Sequence, residues 1–202
     1  GNVPIAGPGF INISLKPEFF LQEVQKALEQ KDNYGNNYSS SLKKIMVEFA
    51  HPNTLKAFHI GHLRNITNGE AMVRILEANG HNIVRANYQG DVGMHIAKCL
   101  YGIRLKGMKK FPSLDEKIRF LGGAYAKGSS LYEEDESARQ EIIEINKKLY
   151  KKDPKIMRLW KETRRWSLEY FDRIYKRLYT NFDRLYFESE VAAPGLKIAR
   201  AA

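Results

Sequence analysis

One stretch, Ile45 to Asp91, constrains this chain more than any other. Ile45, Val47 and Phe49 alternate with Met46, Glu48 and Ala50, which predicts a strand. Pro52 cannot continue a central strand, and it pushes His51 out of helical geometry. The chain must therefore leave the sheet at His51-Pro52-Asn53-Thr54. Leu63, Ile66, Val73 and Leu76 then recur at helical spacing, with Asn79-Gly80 as the stop. Asn68-Gly69 interrupts that run, but the apolar face resumes in phase. One helix, carrying a glycine cost of about 1 kcal/mol, is therefore preferred over a turn. Ile83 to Tyr88 reads as a second strand, ending in the polar segment Asn87-Tyr88-Gln89-Gly90-Asp91. A strand–helix–strand unit of this length suits a right-handed crossover between parallel strands. Its ligand site belongs at the carboxyl ends of those strands, where Glu48 to His62 and Asn87 to Asp91 converge.

A loop that feeds a helix N-terminus attracts anions, because free N–H groups and the helix dipole point outward. Gly61 lets a ligand approach the backbone, and His59 and His62 offer N–H donors to phosphate oxygens. Taken alone, two nearby histidines are as easily structural as functional. The chain contains neither G-x-G-x-x-G nor G-x-x-x-x-G-K-[ST], so neither a dinucleotide fingerprint nor a Walker loop supports another nucleotide fold.

His59-Ile60-Gly61-His62 is the "HIGH" signature that class I aminoacyl-tRNA synthetases carry after their first Rossmann strand. The wider run from Val47-Glu48-Phe49 through Pro52-Asn53, Lys56 and the signature to Arg64 resembles the arginyl-tRNA synthetase pattern V-E-F-S-S-P-N-x-x-K-P-x-H-x-G-H-x-R. Asn87-Tyr88-Gln89-Gly90-Asp91-Val92-Gly93 is similar to that family's next strand-end motif. The chain departs from the pattern at Ala50-His51 (usually Ser-Ser), at Ala57 (usually Pro) and at Gly90 (often Asn).

The resemblance implies an arginine–tRNA ligase that uses ATP, with Mg²⁺ arriving as the ATP complex, and takes arginine and tRNA(Arg) as partners. It implies His59 and His62 as catalytic, ATP-binding residues, stabilising charge on the α-phosphate and the leaving pyrophosphate, joined at the nucleotide by Gly61 and Lys56. Glu48 is implied in recognising the arginine side chain and Asn53 in holding its amino or carboxylate group. His51 stands where a serine touches the substrate, and Asn87 and Asp91 line the pocket. The residues themselves leave other roles open: an Asx turn for Asn53, a solvated Lys56, a strand edge for Glu48 and a helix cap for Asp91. Arg64 either steadies the signature helix or faces solvent. Two other functions stay open: another class I synthetase-like ligase or nucleotidyltransferase, and a non-catalytic tRNA-binding module.

The fold class expected is α/β: the first half of a class I synthetase Rossmann-like parallel sheet domain with a helical connective insertion. Residues 1–42 read as the remnant of an N-terminal domain and a linker. Residues 43–128 read as the first half of the Rossmann-like domain, and 129–202 as the insertion and a return segment. In the first part, Phe10 to Leu15 suggests a strand. Lys16 to Gln30 suggests a helix with Phe20, Leu21, Val24 and Leu28 on one face, and Asn33 to Ser41 a mobile linker. Helices are also expected after Gly93, from Ser113 to Tyr125, from Ser129 to Lys151, and from Lys155 to Leu178 with Leu159, Trp166, Tyr170, Ile174 and Leu178 inward. Ser113 is the expected cap of the second of these. Leu185-Tyr186-Phe187 reads as a return strand and Val191 to Gly195 as a loop.

The net charge of +10 favours an acidic partner such as RNA. Lys147, Lys148, Lys151, Lys152, Arg164, Arg165, Lys176 and Arg177 are the expected exposed cations. Cys99 is the sole cysteine, so neither an intrachain disulfide nor a cysteine zinc cluster is available, and a reducing compartment is expected. The five histidines lack the acidic or cysteine partners of a protein metal site. No apolar run is long enough to span a membrane, and a monomer in the cytoplasm or an organelle is the expectation. The start on Gly1 reads as the interior of a longer protein. The second signature loop and an anticodon-binding domain are then missing, so these 202 residues alone are expected to be inactive.

Overall fold

The computed structural model describes residues 3–37 and 43–201; residues 38–41 of the expected linker lie outside them. The organising unit forms as expected. Strand β3 (Lys44–Glu48) leads into helix α2 (Ile60–Ala78) and then strand β4 (Asn82–Gln89). β3 and β4 pair in parallel, with Ile45 beside Ile83 and Glu48 beside Ala86. Strand β5 (Arg184–Phe187) adds in parallel on the other side of β4, giving the order β3-β4-β5. The predicted return strand is therefore a sheet strand, and all three carboxyl ends point the same way.

Helix α2 does not break at Asn68-Gly69, and the reason is steric. A Cβ at position 69 would lie 2.3 Å from Cγ of Phe49. The glycine lets the helix lie directly on the Phe49 ring, which is buried and touches Phe182 at 4.7 Å. Ile66, Val73, Ile83, Phe171 and Tyr175 complete this core between sheet and helices.

Between β4 and β5 the chain makes four helices: α3 (Met94–Lys106), α4 (Leu114–Glu134), α5 (Glu136–Tyr150) and α6 (Pro154–Arg177). Their shared core holds Ile96, Leu100, Leu121, Ile142, Leu149 and Trp166. Ser113 caps α4 as predicted, its hydroxyl accepting the Glu116 N–H at 3.2 Å. The boundaries beyond it differ from expectation. Helix α4 does not end near Tyr125 but runs through Gly122-Gly123 and Ser129 to Glu134, and the break falls at Asp135, whose carboxylate caps α5 through the Ala138 N–H at 3.0 Å.

The inward face of α6 is rotated from the expected one. Trp160, Thr163, Trp166, Ser167, Phe171 and Tyr175 are buried, while Leu159, Tyr170, Ile174 and Leu178 sit at its margin. Thr163 and Ser167 can enter the core because their hydroxyls donate back to the carbonyls of Leu159 (2.9 Å) and Thr163 (3.3 Å).

Two terminal segments also differ. Of the expected strand Phe10 to Leu15 only Phe10–Ile11 (β2) forms, and it pairs with an unexpected strand, Ile5–Ala6 (β1), across Gly7-Pro8-Gly9. Helix α1 (Pro17–Gln30) forms as predicted, but its apolar face is exposed, with Leu21 at 70% and Leu28 at 71%. Val191 to Gly195 is not a loop; it lies inside helix α7 (Glu188–Ala201) despite Pro194. The start of α7 is held from outside, because the buried Asp91 carboxylate accepts the Ser189 N–H at 2.8 Å.

Candidate active site

The loop after β3 is strained and firmly held. Ala50, His51 and Leu55 all have positive φ, at 79°, 50° and 64°. Non-glycine residues adopt such angles when their surroundings over-determine them. Each surrounding element supplies one tie. Asn65 of α2 accepts the Ala50 N–H at 2.6 Å, Asn87 of β4 accepts the His51 N–H at 3.2 Å, and Ser167 of α6 accepts the Leu55 N–H at 2.8 Å. Buried Thr54 binds the Gly90 carbonyl through its N–H at 2.9 Å.

His59 and His62 cap helix α2 reciprocally. The Gly61 N–H donates to His59 Nδ1, and the His59 N–H donates to His62 Nδ1, each at 3.1 Å. Both Nδ1 atoms are therefore acceptors, so each neutral ring carries its proton on Nε2, the outward donor a phosphate oxygen needs. Burial, followed by the charges of His59 and Lys56, holds the His62 pKa below its ordinary value and keeps that ring neutral. Gly61 has a second role beside admitting a ligand: a Cβ there would lie 2.9 Å from His59 Cε1 and would disturb the cap. Gly61 opens with Glu48, Arg64 and Asn65 onto a cleft of about 500 Å³ at the end of β3.

At the carboxyl end of β4, Asn53 forms an isolated parallel bridge with Gly90, where a Cβ would meet Asn53 Oδ1 at 2.1 Å. Glycine at 90 leaves room for the Asn53 side chain in the position it takes here. The same position lies 3.6 Å from Glu188 Oε2. Glu188, the first residue after β5, joins Asn53 and Gly90, and sequence reasoning missed it. Burial, then the Asp91 charge, raises its pKa. The signal is its position just beyond a parallel strand, legible only once the end of β5 is located.

The other expected residues divide. Exposed Glu48 and His51 pair with each other, Nε2 to Oε1 at 2.8 Å. Lys56 lies over the Tyr125 ring at 4.4 Å, so α4 holds its ammonium. Asn87 is fully buried and works inside the protein, donating to the Tyr175 hydroxyl at 3.0 Å while it holds His51. Asp91 is fully buried too, and it caps α7 and not the helix that follows it. Its carboxylate also accepts from Arg164 at 2.8 Å and from the Ser189 hydroxyl at 2.7 Å. Arg164 is accordingly not one of the exposed cations: it bonds Asp91 and covers the Phe187 ring at 3.8 Å. Arg64 is exposed beside the cleft. Trp160 and Trp166 are buried in the core. Among the described residues no His, Cys, Asp or Glu group could hold a metal, and no helix is long and apolar enough to cross a membrane.

Comparison with known proteins gives the chain's relatives. The chain is 35% identical over 195 residues to the arginine–tRNA ligase of Borreliella afzelii, covering 95% of this chain and 33% of that protein. It is 33% identical over 200 residues to the arginine–tRNA ligase of Bdellovibrio bacteriovorus, covering 96% and 34%. Among solved structures, the arginyl-tRNA synthetase of Thermus thermophilus matches with a TM-score of 0.67 at 26% identity, over 93% of this chain and 29% of that one. The chain thus spans about a third of the length of the curated relatives it matches. The family model described as tRNA synthetases class I (R), catalytic domain, matches residues 23–194, and the chain belongs to that family.

Proposed function

We propose that the protein carrying this chain is an arginine–tRNA ligase. In this reading the arginine carboxylate attacks the α-phosphorus of ATP and pyrophosphate leaves. The arginyl group then passes from the adenylate to the terminal adenosine of tRNA(Arg), releasing AMP. The observation that carries the reading is a reciprocal histidine cap on the helix that follows a parallel strand, with Glu48 at the carboxyl end of that strand and Glu188 just beyond β5 at the same end of the sheet.

The donor set fits a polyphosphate. His59 and His62 each offer an Nε2–H at the start of α2, and Gly61 and Arg64 of the same helix turn line the cleft at the end of β3. These groups would stabilise charge that develops on the phosphates, and they act by orientation and electrostatics without a covalent enzyme intermediate. Lys56, anchored over Tyr125, adds positive field behind them. Mg²⁺ would come bound to the nucleotide's own phosphates. On the amino-acid side, Glu48 and Glu188 would face the cationic groups of arginine, and Asn53 would hydrogen-bond its backbone end. Asp91 is unsuited to that task, because Arg164 already compensates it. Asn87 and Asp91 instead hold the loops that present the site.

In the same reading, residues 43–128 form the first half of the Rossmann-like domain and 129–202 the connective insertion and return segment. Residues 1–42 are the end of a preceding unit. The enzyme works as a cytoplasmic monomer, and residues 1–202 alone do not aminoacylate. The test is ATP–pyrophosphate exchange by the full-length protein with tRNA present. Arginine should support exchange where cysteine does not, and replacing His59 and His62 with alanine should abolish exchange while RNA binding persists. Exchange driven by another amino acid, or full activity without the histidines, would overturn the assignment.

A further inference from the structure

Four aromatic rings run in contact from the protein interior to the signature, the first three of them stacked. Phe171 of α6 is buried, at 1% exposure. Phe58 stacks on it, with ring centroids 4.8 Å apart and planes 15° apart. His62 stacks on the other face of Phe58 at 5.0 Å and 21°. His59 follows at 3.9 Å and 42°. Tyr170 and Tyr175 close around Phe58 at 5.7 and 5.9 Å, so α6 surrounds that ring with three aromatic side chains. The position falls between Ala57 and the signature.

The stack matters because the cap alone leaves one freedom. Each histidine is tied through Nδ1 only, and one hydrogen bond does not fix the tilt of an imidazole about that bond. A ring lying flat against another ring has its tilt fixed as well. We propose that Phe58 is a positioning residue: clamped between Phe171 and His62, it sets the plane of the His62 imidazole and hence the direction of its Nε2–H. Helix α6, which lies in the insertion, thereby reaches the signature without touching a substrate. The same helical turn reaches the other side of the site through Tyr175, whose hydroxyl accepts from Asn87, the residue that holds His51.

The inference rests on the reading of His62 as a nucleotide-binding residue, and two readouts separate the failure of one from the failure of the other. Phe58→Leu keeps apolar volume and removes the ring; Phe58→Tyr keeps the ring. In arginine-dependent ATP–pyrophosphate exchange by the full-length protein, the leucine variant should lose about ten- to a hundredfold in kcat, a misplacement-scale effect, with KM for arginine unchanged. The tyrosine variant should restore the rate. Independently of activity, histidine-selective ¹⁵N spectra should show the Nε2–H tautomer at His62 in all three proteins, because the cap fixes it, with the His62 ring signals shifted and broadened in the leucine variant alone. A leucine variant with unchanged kcat and spectrum overturns the proposal. So does one whose arginine KM and melting temperature change together with kcat, because that marks a packing role only. If the spectra change as expected but no protein exchanges pyrophosphate, the positioning stands and the ligase reading fails.

Discussion

His51 and Glu48 show how one residue can compete with a substrate. The carboxylate proposed to face an arginine cation already faces an imidazole at 2.8 Å. Both side chains are about half exposed, and such a pair contributes at most about 1 kcal/mol. Substrate can therefore displace it, at a cost set by that small free energy. Serine, the residue more usual in the resembling pattern, has no cation to offer. His51→Ser should lower KM for arginine in pyrophosphate exchange by up to about fivefold and leave KM for ATP unchanged. An arginine KM that rises or stays fixed would show that His51 contacts substrate productively. Asp91 illustrates the limit of reading at this scale. A carboxylate after β4 is visible in the sequence, and it suits a pocket role and a cap role equally. The partners that consume it, Arg164 and Ser189, lie 73 and 98 positions away.

At the scale of elements, the sequence pattern is most reliable where one apolar face meets one partner. Strand β3, helix α2 and strand β4 follow their periodicity closely because sheet and helix share a single core. Helix α6 departs from its pattern by a rotation, since Thr163 and Ser167 look solvent-facing until their hydroxyls find backbone acceptors. Helix α7 reads as a loop in the sequence because Pro194 is a strong local breaker, while the tie that starts the helix comes from Asp91. Gly69 is the converse case, a local breaker that the element needs. Alanine there would gain about 1 kcal/mol of helix propensity but place a methyl 2.3 Å from Phe49 Cγ. Overpacking of this kind costs about 1–3 kcal/mol, so Gly69→Ala should be net destabilising in urea unfolding. Phe49→Ala in the same chain, which removes Cγ and the ring, should recover part of that loss, giving a non-additive pair. Additive losses would mean that the two residues are not in conflict.

For the whole molecule, the sequence shows the net charge of +10 but not its distribution. Several expected cations are already neutralised. Lys147 pairs with Glu144, Lys176 with Asp172, and Arg164 with Asp91. Lys148, Lys151 and Lys152, at the end of α5 and the turn into α6, are exposed and make no ion pair within the described residues. Lys155, Arg158 and Lys161 continue the same charge along the start of α6. Lys148 to Lys161 therefore form a local run of six cations around the α5–α6 turn, where Lys152 lines one pocket with Val92 and Ser189 near the carboxyl end of the sheet. A polyanion bound there should respond to salt in proportion to the cations it meets. Replacing Lys148, Lys151 and Lys152 with serine should weaken tRNA binding for every sequence tested. It should also flatten the dependence of log affinity on log salt by about one unit for every one of these lysines that meets a phosphate. Exchange kinetics at saturating tRNA should be unaltered, since none of the three touches the signature or its ties. Arg164→Gln, by contrast, should lower the melting temperature and leave the salt slope unchanged, because it strips a fully buried carboxylate of its partner. Equal salt slopes for the lysine variant and the unmodified protein would move the RNA-binding surface elsewhere on the molecule.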